Sequence, residues 1–118
     1  MQENTFSALA TVSLSDDTGS DMVIQDDGKV LVSGHYWNGS DTDITVIRFN
    51  TNGSLDTTFG SGGIIRANYG YPGLSEYGDA IALQTDGKIL VGGYAVTTNE
   101  GVGLMRFNSD GTFDSTFG

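Results

Sequence analysis

The sequence predicts an all-β protein made of two copies of one four-stranded unit. The copies are visible as a repeat, because Asp27-Gly28-Lys29-Val30-Leu31-Val32 recurs 59 residues later as Asp86-Gly87-Lys88-Ile89-Leu90-Val91. Short apolar runs rich in β-branched residues alternate with Gly, Asn and Asp turns, and no stretch keeps the apolar spacing of a capped helix. A unit of this length cannot bury its apolar face alone, so the repeat indicates a stacked array.

A second shared block follows each copy of the first. Arg48-Phe49-Asn50 and Thr58-Phe59-Gly60 recur at an offset of 58 as Arg106-Phe107-Asn108 and Thr116-Phe117-Gly118. One residue is therefore inserted in the first copy, in the loop after Tyr36. The 118 residues divide into two units of about 59.

The strands of each unit follow in the order a, b, c and d. Residues 5–14 alternate with period two and are expected to form a strand, followed by a turn at 15–19. In the first unit the expected strands are a at 21–25, b at 30–36, c at 44–50 and d at 64–69. A long loop is expected at 70–78, and the second unit then has strand a at 79–84, b at 89–96 and c at 102–108. The Asp-Gly pairs before each strand b predict tight hairpin turns.

Four antiparallel strands per unit, with inner strands that are apolar on both faces, are typical of propeller blades stacked face to face. The order of strands along the chain is circularly permuted relative to the blades. Residues 5–14 align with strand d of the first unit, whereas no strand d follows residue 108. Two blades cannot close a ring, so we expect a homo-oligomer, or else a fragment of a longer array. Three chains with six blades are preferred, and four chains with eight come next. The chain is then a single two-blade unit, in which residues 1–19 close a neighbouring blade, 20–77 form blade 1 and 78–118 supply strands a to c of blade 2.

The repeated motifs resemble a known family. The run from Gln84 through Asp86-Gly87-Lys88 to Gly93, followed by Arg106 to Gly118, is similar to the bacterial delta-60 repeat, a β-propeller domain of unknown function. The resemblance covers almost the whole chain. The chain differs where Asp21-Met22-Val23-Ile24 replaces the usual Asp-Ala-x-Ala-x, and in having two units where family members usually carry more. The resemblance implies a propeller fold and favours an extracellular or cell-surface location, and it brings no established catalytic residue.

Charge and composition exclude several classes of partner. The net charge is −10 with only five Lys or Arg, so nucleic acid and anionic membranes, which need a basic surface, are not expected partners. No run approaches the roughly 18 apolar residues of a membrane span, so membrane insertion is not expected, and no signal peptide is visible. The absence of cysteine excludes disulfides and thiolate chemistry but leaves the compartment open.

One Arg and one Asp recur in each unit. Arg48 precedes Asp56 by eight residues, and Arg106 precedes Asp114 by the same spacing. These residues could form an anion site, or a buried bidentate Arg–Asp pair that holds the loop after strand c. Recurrence in both units favours the structural pair, because structural repeats reuse structural residues.

The acidic clusters and the single histidine are the candidates for metal binding and catalysis. The Asp clusters at Asp16, Asp17 and Asp21 and at Asp41 and Asp43 could contribute to a calcium site, but no loop of the EF-hand type is present, so no cofactor is expected. His35 is the only histidine, and Tyr94 takes its place in the second unit. No Ser-His-Asp order and no distinct pair of carboxylates stands out, so the chain is not expected to be an enzyme.

An aromatic cluster is the remaining candidate site. In a blade the b–c and d–a loops emerge on one side of the ring, which brings the segment after strand b close to the 70–78 loop. The candidate ligand-binding residues are His35, Tyr36, Trp37, Asn38, Tyr71, Glu76, Tyr77 and Tyr94. Flat rings beside Asn and Glu suit a carbohydrate, although the same rings could serve as filler between blades.

Three functions are compatible with this pattern. The first is a lectin-like binding module on the loop side of the ring. The second is a structural repeat or a fragment without a ligand, and the third, least favoured, is a hydrolase acting on glycans.

Overall fold

The computed structural model describes residues 17–68, 75–96 and 101–118, which form two antiparallel sheets. The first sheet contains β1 (Asp17–Ile24), β2 (Val30–Trp37), β3 (Thr42–Phe49) and β4 (Ile64–Ala67), in that order. The second sheet contains β5 (Ser75–Leu83), β6 (Ile89–Val96) and β7 (Gly101–Phe107). The prediction of an all-β chain with two antiparallel units is confirmed. The expected strand at residues 5–14 lies outside the described residues.

Two segments that were predicted as turn and loop are strand. Residues 17–19 begin β1, and residues 75–78 begin β5, so Glu76 and Tyr77 lie in a strand rather than in a loop. A β-bulge explains both errors, because the pairing register shifts between Gly19 and Asp21 and again between Gly78 and Ala80. The extra residue breaks the period-two alternation on which the strand prediction rests. The c strands also begin earlier than predicted, at Thr42 and Gly101, and β4 ends at Ala67.

Each bulge depends on a glycine in the neighbouring strand. A Cβ atom on Gly34 would overlap the carbonyl oxygen of Thr18, and one on Gly93 would overlap the carbonyl oxygen of Tyr77. Both overlaps lie far inside the 3.0 Å that real Cβ atoms essentially never pass. The two glycines are repeat equivalents, so close backbone approach explains why both units have Gly at this position of strand b.

The two sheets pack face to face around one apolar core. Paired residues in neighbouring strands share a face, and every second residue contributes to the core. The first sheet supplies Leu31, Ile44, Val46 and Ile65, and the second supplies Ile81, Ile89, Val91, Met105 and Phe107. Phe59, in the turn region after β3, is fully buried in the same cluster.

Hydrogen bonds fix the position of one sheet against the other. The amide of Gly60 donates to the carbonyl of Asp110 at 2.9 Å, and the amide of Ile81 donates to Oδ2 of Asp21 at 3.1 Å. Near the opposite ends of the strands, the amide of Thr42 donates to Oγ of Ser75 at 3.3 Å. The described residues contain no helix with the length and hydropathy needed to cross a lipid bilayer.

Candidate functional site

A buried carboxylate with four donors occurs once in each unit. Asp56 Oδ2 accepts from Arg48 Nε at 2.9 Å and from Lys29 Nζ at 2.8 Å. Asp56 Oδ1 accepts from the amide and the hydroxyl of Thr58, at 3.1 and 2.6 Å. The Arg48–Asp56 pair is therefore present but is not bidentate as predicted. The Thr58 donors occupy the oxygen that a second guanidinium nitrogen would need.

The second unit repeats this arrangement atom by atom. Asp114 Oδ2 accepts from Arg106 Nε at 2.8 Å and from Lys88 Nζ at 3.0 Å. Asp114 Oδ1 accepts from the amide and the hydroxyl of Thr116. The carboxylates have no free lone pair directed at a ligand, and the arrangement closes the turn after strand c.

The same hydrogen bonds lower the pKa of both carboxyl groups. Lys29 and Thr58 donate to Asp56 and hold its pKa far below the ordinary value, with the Arg48 charge adding to the effect. Thr116 and Lys88 lower the pKa of Asp114 in the same way, with Arg106 contributing. Both groups are therefore charged at neutral pH and cannot act as general acids there.

Each guanidinium also packs on an aromatic ring. Arg48 lies over Phe59, with 4.4 Å from Cζ to the ring centroid, and Arg106 lies over Phe117 at 4.6 Å. Arg48 Nη1 additionally donates to the carbonyl of Ser109 in the second unit, at 2.8 Å. Arg48 therefore connects the turn of its own unit to the second unit, and this contact helps to hold the two sheets together.

At the other end of the strands, three of the predicted aromatic residues meet. His35 packs edge-on against Tyr77 with ring centroids 4.8 Å apart, and Tyr77 stacks on Tyr94 at 4.8 Å and 19°. Nδ1 of His35 is buried without a hydrogen-bond partner in the part of the chain that the structure describes. Glu76, the residue before Tyr77, is fully buried. Tyr71 lies outside the described residues.

Tyr36 and Trp37 lie on opposite faces of the first sheet, as alternation along β2 requires. The Arg66 guanidinium covers the Tyr36 ring at 4.2 Å, and Arg66 Nη2 contacts Asp17 Oδ2 at 3.2 Å. Trp37 ends β2 and is half exposed. Among the predicted site residues that the structure describes, only Trp37 and Asn38 are therefore positioned together at the edge of the loop.

Asn38 organises the loop between β2 and β3. Its amide nitrogen donates to the carboxylates of Asp41 and Asp43, and its carbonyl oxygen accepts from the amides of Ser40 and Asp41. Asp41 and Asp43, two of the candidate calcium ligands, are thus engaged within the loop. Asp17 pairs with Arg66, and Asp21 accepts from two amides, while Asp16 lies outside the described residues. No group of three potential metal ligands occurs within residues 17–68, 75–96 and 101–118.

Comparison with models of known protein families matched residues 25–59 and 84–117 to a domain of unknown function, DUF5122, described as a β-propeller. These segments start at the equivalent residues Gln25 and Gln84 and together cover more than half of the chain. The chain belongs to the DUF5122 β-propeller family. Comparison with curated proteins and with solved structures gave no match. The predicted propeller repeat is confirmed by the family match.

The outward faces of the two DUF5122 units carry exposed apolar side chains. We call the face of the first sheet that carries Met22 and Ile24 the open face of sheet 1. The open face of sheet 2 carries Tyr94, Val96, Val102 and Leu104. All six side chains are exposed, although they belong to strands. Exposed apolar patches of this kind mark interaction surfaces.

An acidic cavity of about 620 Å³ lies between the a–b turns of the two DUF5122 units. It is lined by Gln25, Asp26, Asp27, Leu83, Gln84, Thr85, Asp86 and Gly87. Because three carboxylates and no described cationic side chain line this cavity, it repels anionic ligands.

Sequence reasoning missed several members of the DUF5122 turn motif. Lys29 and Lys88 bind the two buried carboxylates, and Thr58 and Thr116 satisfy their remaining oxygens. All four residues belong to the repeated blocks, so their recurrence was a usable signal. Arg66 has no equivalent Arg in the other unit, and nothing in the repeat pointed to its contact with Tyr36.

Proposed function

We propose that this chain is a non-enzymatic propeller module that completes its ring by assembling with further copies of itself. The main support is a difference in burial between equivalent positions of the two repeats. Val102 is 94% exposed and Leu104 54% exposed, whereas their equivalents in the first unit, Ile44 and Val46, are fully buried against the second sheet. The repeat thus has an interface surface in both units, and among the described residues only the surface of the first unit is covered.

The open face of sheet 1 shows the same difference in burial on the other side of the proposed interface. Met22 and Ile24 are more than half exposed. Their equivalents in the second unit are Ile81, which is buried, and Leu83, which packs against the core. Suppose that a second copy packs on the first in the way that blade 2 packs on blade 1 within the chain. The open face of sheet 2 in the first copy and the open face of sheet 1 in the second copy would then bury each other. Each fully buried Val, Leu, Ile or Met contributes about 1.5–3 kcal/mol, so burial of these side chains favours assembly.

Polar contacts extend across the proposed interface by the same equivalence. Inside the chain Arg48 Nη1 donates to the carbonyl of Ser109, and the Gly60 amide donates to the carbonyl of Asp110. The equivalent donors are Arg106 and Gly118, and the equivalent acceptors are the carbonyls of Thr51 and Asn52 in the next copy. Because the two joined surfaces differ, the contact is head-to-tail and closes by rotation. Two blades per chain favour three chains with six blades, and then four chains with eight.

The experiment is a pair of charge substitutions measured by light scattering. Leu104→Asp places a carboxylate on the open face of sheet 2 and is expected to reduce the assembly to single chains. Ser115→Asp adds the same charge in an exposed turn whose equivalent, Thr57, stays exposed although the first sheet is covered. The control should therefore keep the mass of the unaltered protein. Equal masses for both variants would refute the proposal.

A second candidate is ligand binding at Trp37, supported by its exposed ring beside the polar Asn38 loop. A flat apolar surface next to amide and carboxylate groups suits a carbohydrate. Trp37→Ala should abolish binding on a glycan array while the mass of the assembly stays unchanged. Loss of the assembly would instead make Trp37 a packing residue between blades.

On the motifs quoted above, we also infer that the unit is of the delta-60 type.

A further inference from the structure

The outer edge of the second sheet has no neighbour among the described strands. Strand β3 pairs with β2 on one side and β4 on the other, whereas its equivalent β7 pairs only with β6. Residues 108–118 do not supply the missing strand, since they form turns with a single bridge between Phe107 and Phe113. The edge of β7 therefore presents backbone amides and carbonyls that can pair with another strand.

An apolar groove runs beside this edge. It has a volume of about 330 Å³ and lies between β4 and β7. Its apolar lining residues are Ile65, Ala67, Met105, Phe107 and Phe113. A strand added to the edge of β7 would lie beside this groove, in the position that β4 has beside β3.

We propose that residues 5–14 of a second copy add to the edge of β7 as the fourth strand of the second sheet. The proposal rests on the assembly proposed above and deepens it by naming the segment that joins the copies. At the repeat offset of 59, residues 5–8 are the equivalents of Ile64–Ala67, the strand β4 that covers the edge of β3. Their sequence, Thr5-Phe6-Ser7-Ala8, retains apolar residues where β4 has Ile65 and Ala67.

The chain path favours a second copy over the same chain as donor. Strand β4 belongs to the first sheet, and residues 68–74 then lead into β5 of the sheet that covers one face of the first. The segment at 5–8 leads into β1 with nearly the same spacing, so it belongs to a blade that covers the open face of sheet 1. The chain's own second sheet covers the opposite face. A blade of another copy, placed on the open face of sheet 1, can therefore receive residues 5–14.

The internal pairing also fixes the register. In the first sheet Ile44 faces Ala67 and Val46 faces Ile65. The equivalent pairs are Val102 with Ala8 and Leu104 with Phe6. A slip of one residue would turn every side chain to the other face, so the register is a sharp expectation.

The absence of cysteine makes disulfide mapping a direct test, because introduced cysteines are the only thiols. Facing residues in an antiparallel pair have Cα atoms about 4.5–5.5 Å apart, which is within the range of a disulfide. A mixture of Phe6→Cys and Leu104→Cys chains is expected to form a disulfide-linked dimer under mild oxidation. A mixture of Ala8→Cys and Val102→Cys should do the same. The control mixture, Ser7→Cys with Leu104→Cys, places its thiols on opposite faces and should link at least tenfold more slowly.

A chain carrying both Phe6→Cys and Leu104→Cys gives the second measurement. We expect it to form a covalent ring with the number of chains found for the unaltered protein by light scattering. A disulfide within one chain would overturn the assignment to a second copy. If the variants keep the oligomeric mass under reduction but neither facing pair links faster than the control, the strand assignment fails while the proposed assembly stands. Single-chain mass under reduction for the unaltered protein and all variants would overturn both.

Discussion

The glycines at the two bulges allow a sharp test of the fold. Gly92 and Gly93 are neighbours in β6, and both can be changed to alanine. A Cβ on Gly93 would overlap the backbone carbonyl of Tyr77, which cannot move without breaking the bulge. A Cβ on Gly92 would lie 3.6 Å from Cδ1 of Leu104 and 3.8 Å from the carbonyl oxygen of Gly103, which are ordinary contacts. The two substitutions are chemically identical and differ only in this geometry.

The expected magnitudes follow from what each change disturbs. Gly93→Ala must displace β5 from β6 near the bulge, which weakens one or two ladder hydrogen bonds of about 0.5–1.5 kcal/mol each and adds packing strain of about 1–3 kcal/mol. The expected loss in the free energy of unfolding is about 2–4 kcal/mol. Gly92→Ala should be neutral or should stabilise by up to about 1 kcal/mol, because alanine lowers the entropy of the unfolded chain.

The assay is urea unfolding followed by circular dichroism, at one chain concentration for all variants because assembly couples to stability. Gly34→Ala in the first unit should repeat the effect of Gly93→Ala, since its Cβ would overlap the Thr18 carbonyl. Equal stability of the Gly92→Ala and Gly93→Ala proteins would show that the bulge does not require glycine. The explanation given for the repeated Gly would then be wrong.

Other parts of the account can be tested separately. Arg48→Ala should lower the free energy of unfolding by about 2–4 kcal/mol, because it leaves the Ser109 carbonyl and a buried carboxylate with fewer partners. Arg66→Ala is the matched control in the same urea assay. It removes an exposed Arg–Asp pair that also covers an aromatic ring, and it should lower the free energy of unfolding by only about 0–1 kcal/mol. Asp56 and Asp114 have lowered pKa values in the folded chain, so their stabilisation is complete above the ordinary carboxyl value of about 4 and is lost as the pH falls below it. Unfolding free energies between pH 6 and 3 should therefore fall, and Asp56→Asn should flatten that slope, while a parallel curve for this variant would contradict the assignment. Deleting residues 1–14 should lower the mass of the assembly while the chain keeps most of its β-sheet circular dichroism, and an unchanged mass and melting temperature would count against strand exchange.

The repeat made much of the fold predictable from the sequence. Strand β6 was predicted with its observed limits, because the apolar run after Lys88 is bounded by clear turn residues on both sides. The spacing between Arg48 and Asp56, repeated in the second unit, indicated a structural pair whose atoms are in contact in the structure. These features depend on local sequence or on recurrence, which a single chain displays.

Features that depend on contacts between strands were not predictable in the same way. The Ser, Gly and Asp residues around both bulges have turn composition, although pairing with β2 and β6 makes them strand. The candidate aromatic site divided for a similar reason. Tyr36 and Trp37 are adjacent in sequence, but alternation sends them to opposite faces, and His35 contacts Tyr77 only because the two sheets stack. Alternation along β2 was a signal that could have separated these residues beforehand.

The absolute mass of the unaltered protein in solution tests the central proposal most directly. One chain has a mass of 12.4 kDa, and light scattering at micromolar concentration gives the number of chains without assumptions about shape. We expect three chains, or four as the second choice, because each chain brings two blades with uncovered apolar faces. A mass of one chain across the micromolar range would contradict the proposal that copies of this protein complete one another's ring.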